Sequence, residues 1–168
     1  ALDDDNSGAD TLTIASDGTA TFSATVPDNV GVGDAIVYDS DGDGDIDGDD
    51  SIVFISARAS STVYTVQDED GSLPDDTVTT EDDWSIFRAY TSLSNAEAGT
   101  INTAISALGI SFDSWSGGRD LVTNLEQWNI ACFGDDVDTT SVEVNGWTTE
   151  EDYYLRVYTP YKTNEVGV

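Results

Sequence analysis

The chain has 168 residues, with 34 acidic side chains against five basic ones, no histidine and a formal net charge of -29. Such a charge repels nucleic-acid phosphates and anionic bilayers, so nucleic acid is not expected as a partner, and no apolar run approaches the ~20 residues that membrane insertion of a helix requires. With 38% hydrophobic residues and four tryptophans, the chain is too apolar for a disordered acidic tail and long enough to bury a core.

Taken in order, residues 1–10 are a polar, Asp- and Gly-rich arm that would stay loose unless a bound cation or a neighbouring copy tied it down. Leu12 and Ile14, then Phe22, Ala24 and Val26, alternate with Thr and Ser around a turn at Ser16-Asp17-Gly18-Thr19. That alternation predicts a hairpin of half-buried strands. Two placements follow. Residues 1–26 are an arm donated to a neighbour, with residues 27–168 as the domain proper, or residues 11–26 are the first hairpin of their own domain.

After turn chemistry at 27–33 comes the sharpest motif, Asp39-Ser-Asp-Gly-Asp-Gly-Asp-Ile-Asp-Gly-Asp-Asp50. Asp39, Asp41 and Asp43 fall at positions 1, 3 and 5 of a calcium loop, Gly44 at the sharp-turn position 6, Asp45 at 7, Ile46 at 8, Asp47 at 9 and Asp50 at 12. Alternate carboxylates can curl their oxygens around one hard cation, and the Asp45 carbonyl adds another oxygen. Asp39, Asp41, Asp43, Asp45, Asp47 and Asp50 are therefore the expected Ca2+ residues. Position 12 is Asp rather than the Glu of an EF-hand, as in dockerin repeats. The flanks 34–38 and 51–56 are β-branched and aromatic, so the loop is expected at a hairpin tip, where the metal is a structural clip rather than a sensor.

Further strands are expected at 59–66, at 84–90 and, near the end, at 128–133, 141–144 and 153–158, with an acidic loop over 67–81. One helix is expected from Ser94, with Glu97 at capping-box spacing and Ile101, Ala104, Ile105 and Leu108 as its apolar stripe up to Gly109, and a short one over 119–127. Short strands, Gly-rich turns and a small helical insertion predict an all-β fold, a β-sandwich or jelly roll.

Val32-Gly-Asp-Ala-Ile-Val-Tyr-Asp-Ser-Asp-Gly42, Trp84-Ser-Ile-Phe-Arg-Ala-Tyr-Thr-Ser-Leu93, Gln127-Trp-Asn-Ile-Ala-Cys132, Asn145-Gly-Trp-Thr-Thr149 and Leu155-Arg-Val-Tyr-Thr-Pro160 resemble a pattern in secreted proteins of environmental bacteria and their viruses. There it precedes a right-handed, pectate-lyase-like β-helix. The resemblance implies an extracellular, surface-exposed module, and it implies no lyase activity, because the coils that carry that chemistry are not in this sequence. The start at Ala1 and the lack of Met fit a product whose leader has been cut away, although removal of an initiator Met would look the same.

No His is present and the one thiol, Cys132, lies in an apolar run, so the usual nucleophile and base pairs are missing and no enzyme is expected. Cys132 reads as a buried, inert thiol, or less readily as a cross-link between chains. Arg58, Arg88, Arg119, Arg156 and Lys162 are so few that each is expected in a local ion pair. Trp84, Trp115, Trp128 and Trp147 and the Tyr153, Tyr154, Tyr158 and Tyr161 cluster read as core or interface before they read as a glycan platform. Tyr154, Arg156 and Tyr158 share one strand face opposite Leu155 and Val157, a pattern that suits an interface.

The expected function is thus a calcium-stabilised extracellular structural subunit whose partners are copies of itself, joined head to tail by strand donation into a filament. The alternative is a calcium-dependent carbohydrate-binding or adhesive module of a larger surface protein. The two differ in whether the chain polymerises.

Overall fold

The alternating runs become short strands because each offers only two or three side chains to an interior. In the computed structural model, which describes residues 1–5, 9–112 and 118–167, these strands are β1 (Asp3–Asp4), β2 (Leu12–Ile14), β3 (Thr19–Phe22), β4 (Asp34–Tyr38), β5 (Ser51–Arg58), β6 (Val63–Gln67), β7 (Val78–Glu81), β8 (Trp84–Arg88), β9 (Trp128–Ala131) and β10 (Leu155–Tyr158). Three short helices, α1 (Leu93–Glu97), α2 (Thr103–Ser106) and α3 (Leu121–Asn124), complete a mainly β protein. Strand β7 falls within the expected acidic loop over 67–81: its Thr-rich, acidic sequence carries no strand pattern of its own, and it pairs with the edge that β2 offers.

The first eight strands make one antiparallel sheet in the order β1-β8-β4-β5-β6-β3-β2-β7. This sheet curls. Phe22 of β3 meets Trp84 of β8 edge-on at 4.8 Å, although β4, β5 and β6 lie between those strands in the hydrogen-bonded order. The layers expected of a sandwich are thereby made by a single sheet closing over its own concave face. Leu12, Ile14, Phe22, Ile36, Tyr38, Tyr64 and Ile86 fill the interior, each at most 3% exposed.

Over β4, β5 and β8 the convex face is covered: Ala35, Val37 and Phe87, with Ile52 and Phe54 of β5, pack with Ile105, Ile110 and Phe112. Strand β4 is consequently buried on both faces, which matches its unbroken Ala-Ile-Val-Tyr run. The single expected helix is two. Ser92, not Ser94, caps α1 by accepting from Asn95 N–H at 3.0 Å, and Asn102 caps α2 by accepting from Ala104 N–H at 3.0 Å. Between them Gly99 has φ +65°, and two helix starts so close together leave no room for a continuous stripe.

Residues 11–26 form a hairpin that pairs within the single chain. β2 and β3 pair with each other and, through β7 and β6, complete the sheet, and Leu12 and Ile14 are interior side chains that donation would withdraw from the core. The arm ahead of them also pairs within its own chain: Asp3 lies opposite Ile86 and Asp4 opposite Ser85. Leu2 N–H and Asp5 N–H extend this pairing to the Ile86 and Trp84 carbonyls at 2.7 and 3.2 Å.

Beyond residue 118 the chain is sparser. β9 and β10 form a separate two-stranded parallel sheet. Residues 141–144, expected as a strand, pair with no strand among the described residues; the flanking Asp138 and Asn145 are tied to a helix rather than to a strand edge. Trp115 lies outside the described residues.

Candidate metal centre

The antiparallel pair β4–β5, in register from Ala35 opposite Phe54 to Tyr38 opposite Ser51, ends in the Asp-rich loop. Tyr38 and Asp39 are buried at its base, whereas Asp41, Asp43, Asp45 and Asp47 project into solvent. Ile46 anchors the loop by packing against the convex-face cluster. Gly109, at the end of α2 with φ +86°, approaches Gly48 so closely that a Cβ there would lie 3.1 Å from the Gly48 backbone. The sharp turn itself needs Gly42 and Gly44, whose φ values of +80° and +91° place them where side chains are strained.

Five Asp side chains of the motif organise backbone as well as charge. Asp39 Oδ1 accepts from Gly42 N–H at 2.6 Å and Oδ2 from Gly44 N–H at 2.8 Å. Asp41 and Asp43 accept from the N–H groups of Asp43 and Asp45, and Asp47 from Asp49. Asp50 closes the loop, receiving Ser40 N–H on Oδ1 and Asp47 N–H on Oδ2. As a result Asp39, Asp41 and Asp43 each bring a carboxylate oxygen within 4.8 Å of the others. The carboxylates of Asp47 and Asp50 are not part of that group, and Asp45 is expected to contribute its backbone carbonyl rather than its side chain.

A second group was invisible in the motif. Glu81 and Asp83, from the β7–β8 corner, bring oxygens within 4.8 Å of Asp39 as well. Nothing in local sequence links positions 39 and 81; the Asp39 N–H donates to the Asp83 carbonyl at 3.0 Å, an extension of the β4–β8 ladder that only the sheet order reveals. A cleft beside this corner is lined by Asp4, Asp5, Ile46, Asp82, Asp83, Trp84 and Ser85. Asp4 Oδ1 is buried and has no hydrogen-bond partner among the described residues.

Charge at the loop base is strongly negative. Burial pushes the Asp39 carboxyl up, but the N–H groups of Gly44, Gly42, Asp41 and Asp43 outweigh it and hold Asp39 below the usual carboxylate range. At Asp41 the Asp43 N–H pulls down, yet desolvation and the charges of Asp43, Asp39 and Asp50 prevail and raise it. Asp83 is raised by burial and then by Asp82, Asp39, Asp5 and Asp45. Carboxylates that raise one another's pKa define a place where a cation relieves repulsion. These two groups of acidic side chains can hold a metal ion, and an all-oxygen donor set suits a hard divalent cation.

The remaining expected residues are placed as follows. Arg88 of β8 pairs with buried Asp34 at 2.6 Å and with Asp135 at 2.7 Å, and stacks over Phe133 at 3.7 Å. Arg58 pairs with Asp28, Arg119 with Glu126 and Lys162 with Glu165. Arg156 departs from expectation, since its charge meets only the Tyr158 ring, at 4.2 Å. Trp84 is core; Trp128 and Trp147 stack at 4.7 Å, with the Trp147 Nε1–H donating to Glu97 at 3.0 Å. Cys132 is free and half-buried, its thiol pushed up by burial and by Asp138. Among the described residues no helix is long and apolar enough to cross a membrane.

Comparisons with protein-family models, with curated proteins and with solved structures gave no match, so the functional reading rests on the geometry above.

Proposed function

We propose that this chain is a calcium-stabilised, non-catalytic structural subunit of an extracellular filament or pilus-like fibre, assembled head to tail by strand donation. The observation that carries the reading is the meeting of two features at one corner. The oxygen-only clusters of Asp39, Asp41 and Asp43 and of Asp39, Glu81 and Asp83 stand beside the cleft that the arm residues Asp4 and Asp5 line. A buried Asp4 oxygen without a hydrogen-bond partner among the described residues is the kind of atom a divalent ion satisfies. Calcium fits better than magnesium, because a loop of many flexible carboxylates suits its larger, less regular coordination, and extracellular sites bind it at about 0.1–1 mM.

Strand β1 covers the β8 edge with only two paired residues. An arm from a neighbour can make the same backbone bonds, and a head-to-tail exchange of this kind propagates rather than closes. Ten extended residues reach roughly 33 Å, enough to cross a subunit boundary. The resemblance to secreted surface modules supports the extracellular setting, as does the affinity for calcium expected of such a loop. A glycan-binding reading has less support: Trp128 and Trp147 are stacked on each other, which occupies ring faces a sugar would need.

Light scattering and electron microscopy of the purified chain in millimolar calcium should show polymers that shorten or disperse with chelator. A particle that stays monomeric in both conditions would sink the filament reading, and calorimetry without calcium uptake would sink the metal.

A further inference from the structure

Two unsatisfied features in the C-terminal third match each other. The first is an edge. Trp128 and Cys132 N–H groups donate to the Tyr154 and Tyr158 carbonyls, so in this parallel ladder the even-numbered residues of β10 turn their backbone to β9, and Leu155 and Val157 turn theirs away. Among the described residues no strand pairs with that outer side. Val157 is 43% exposed, and Arg156 is, among the described residues, the one basic side chain without an ion pair. An unpaired arginine at an open strand edge is unexpected in a chain of net charge -29.

The second feature is a strand-forming segment without a sheet. Ser141-Val142-Glu143-Val144 alternates as a strand does, pairs with no strand among the described residues, and leaves Glu143 and Val144 exposed. Both flanks are held on α1: Asp138 Oδ2 accepts from Leu93 N–H at 3.3 Å, and Glu97 Oε1 accepts from Asn145 N–H at 3.2 Å. The segment is thus held out as an arch across α1.

We propose that the outer edge of β10 receives residues 141–144 of a second copy, with Glu143 set against Arg156 and Val142 and Val144 beside Leu155 and Val157. The alternation agrees at every position: one charge flanked by two apolar residues meets the opposite charge flanked by two apolar residues, and the backbone groups on both sides are those an added strand uses. Donor and acceptor are different surfaces, so the contact is heterologous and extends a chain of copies. The inference rests on the filament reading and supplies it with a second joint, independent of the amino-terminal arm.

The test uses full-length chains carrying Cys132→Ser. One population carries Val142→Cys or Val144→Cys and the other Val157→Cys, so that a mixed disulfide between them forms only across two molecules. A 142–157 product marks antiparallel addition and a 144–157 product parallel addition. Glu143→Arg and Arg156→Glu should each weaken assembly by ~10-fold, and their combination in one chain should restore it, with unchanged melting in every case. If wild-type polymers form while no mixed disulfide appears and the charge variants assemble normally, the β10 joint is wrong and the filament reading stands. If the wild type never leaves the monomer, both fall.

Discussion

The curled sheet and the C-terminal third are built from similar residues and reach opposite outcomes. Among the described residues, only Leu121, Ile130 and Val166 of the 26 buried hydrophobic residues come from residues 118–167, whereas that stretch supplies six of the seven exposed large hydrophobics, all but Leu73. The sheet closes on itself, so each apolar side chain finds an interior. A two-stranded parallel sheet has no concave face, and such a pair is marginal on its own. The apolar side chains left exposed in that stretch of a very acidic chain are the surface that the proposed contact between copies would use.

The largest way to sharpen that contrast is to hollow the sheet. Phe22→Ala removes a ring that touches both Trp84 and Tyr64, and should cost ~3–5 kcal/mol in urea unfolding. Trp128→Ala, in the C-terminal third, should cost far less, since Trp128 is only half-buried. Equal losses at the two sites would erase the distinction between the regions.

Removal of calcium comes next. In about 10 mM calcium, roughly 100 times a dissociation constant of about 0.1 mM, the bound ion adds about 2.7 kcal/mol, and a chain of this size shifts by about 2–4 °C per kcal/mol. Chelation should therefore lower the melting temperature by roughly 5–10 °C, and Asp39→Asn should reproduce the loss. Hydrogen exchange should quicken at β4, β5 and β8 and leave β9 and β10 nearly unchanged. An identical melt with and without chelator would remove the metal from the account.

What could be read from residues alone follows the same division. Period-two runs such as Leu12-Thr-Ile14 and the buried run of β4 announce strands because each carries its own burial pattern, and the Asp39–Asp50 spacing carries its own chemistry. Glu81 and Asp83 were illegible because their place beside Asp39 depends on β8 lying next to β4. Helix positions slipped because two Asx or Ser caps compete within ten residues of sequence. Ser141–Val144 has the pattern of a strand and pairs with no strand among the described residues, which local pattern cannot reveal.

Arg88 joins the two regions, holding Asp34 of β4 on one side and Asp135 and Phe133 on the other. Burial drives the Asp34 carboxyl up to about 7, with the Arg88 charge and hydrogen bonds and the Gly31 N–H pulling it back. Unfolded, the same group titrates near ~3.9. Its folded value being the higher, the stability it contributes is present below ~3.9 and is lost as pH climbs towards about 7. In calcium-free buffer the chain should melt higher at pH 5 than at pH 8, and Asp34→Asn should flatten that slope. Arg88→Ala strands a buried carboxylate at pH 8 and should cost ~3 kcal/mol there, and less at pH 5, where the proton replaces the guanidinium. A larger loss at pH 5 would reverse the assignment.

The smallest expected effect on folding carries the most about function. Val157→Lys places a charge on the outer edge of β10, at a position already 43% exposed, so unfolding should change by no more than about 0.5 kcal/mol. An edge lysine is also a common device against strand addition, and here it would put a charge on the face where Val142 or Val144 of the neighbour is to pack. Assembly measured by light scattering should fall while the melt stays put. If instead the melt drops and polymers persist, Val157 belongs to the packing of its own chain, and the open end of the molecule is merely loose rather than waiting for a neighbour.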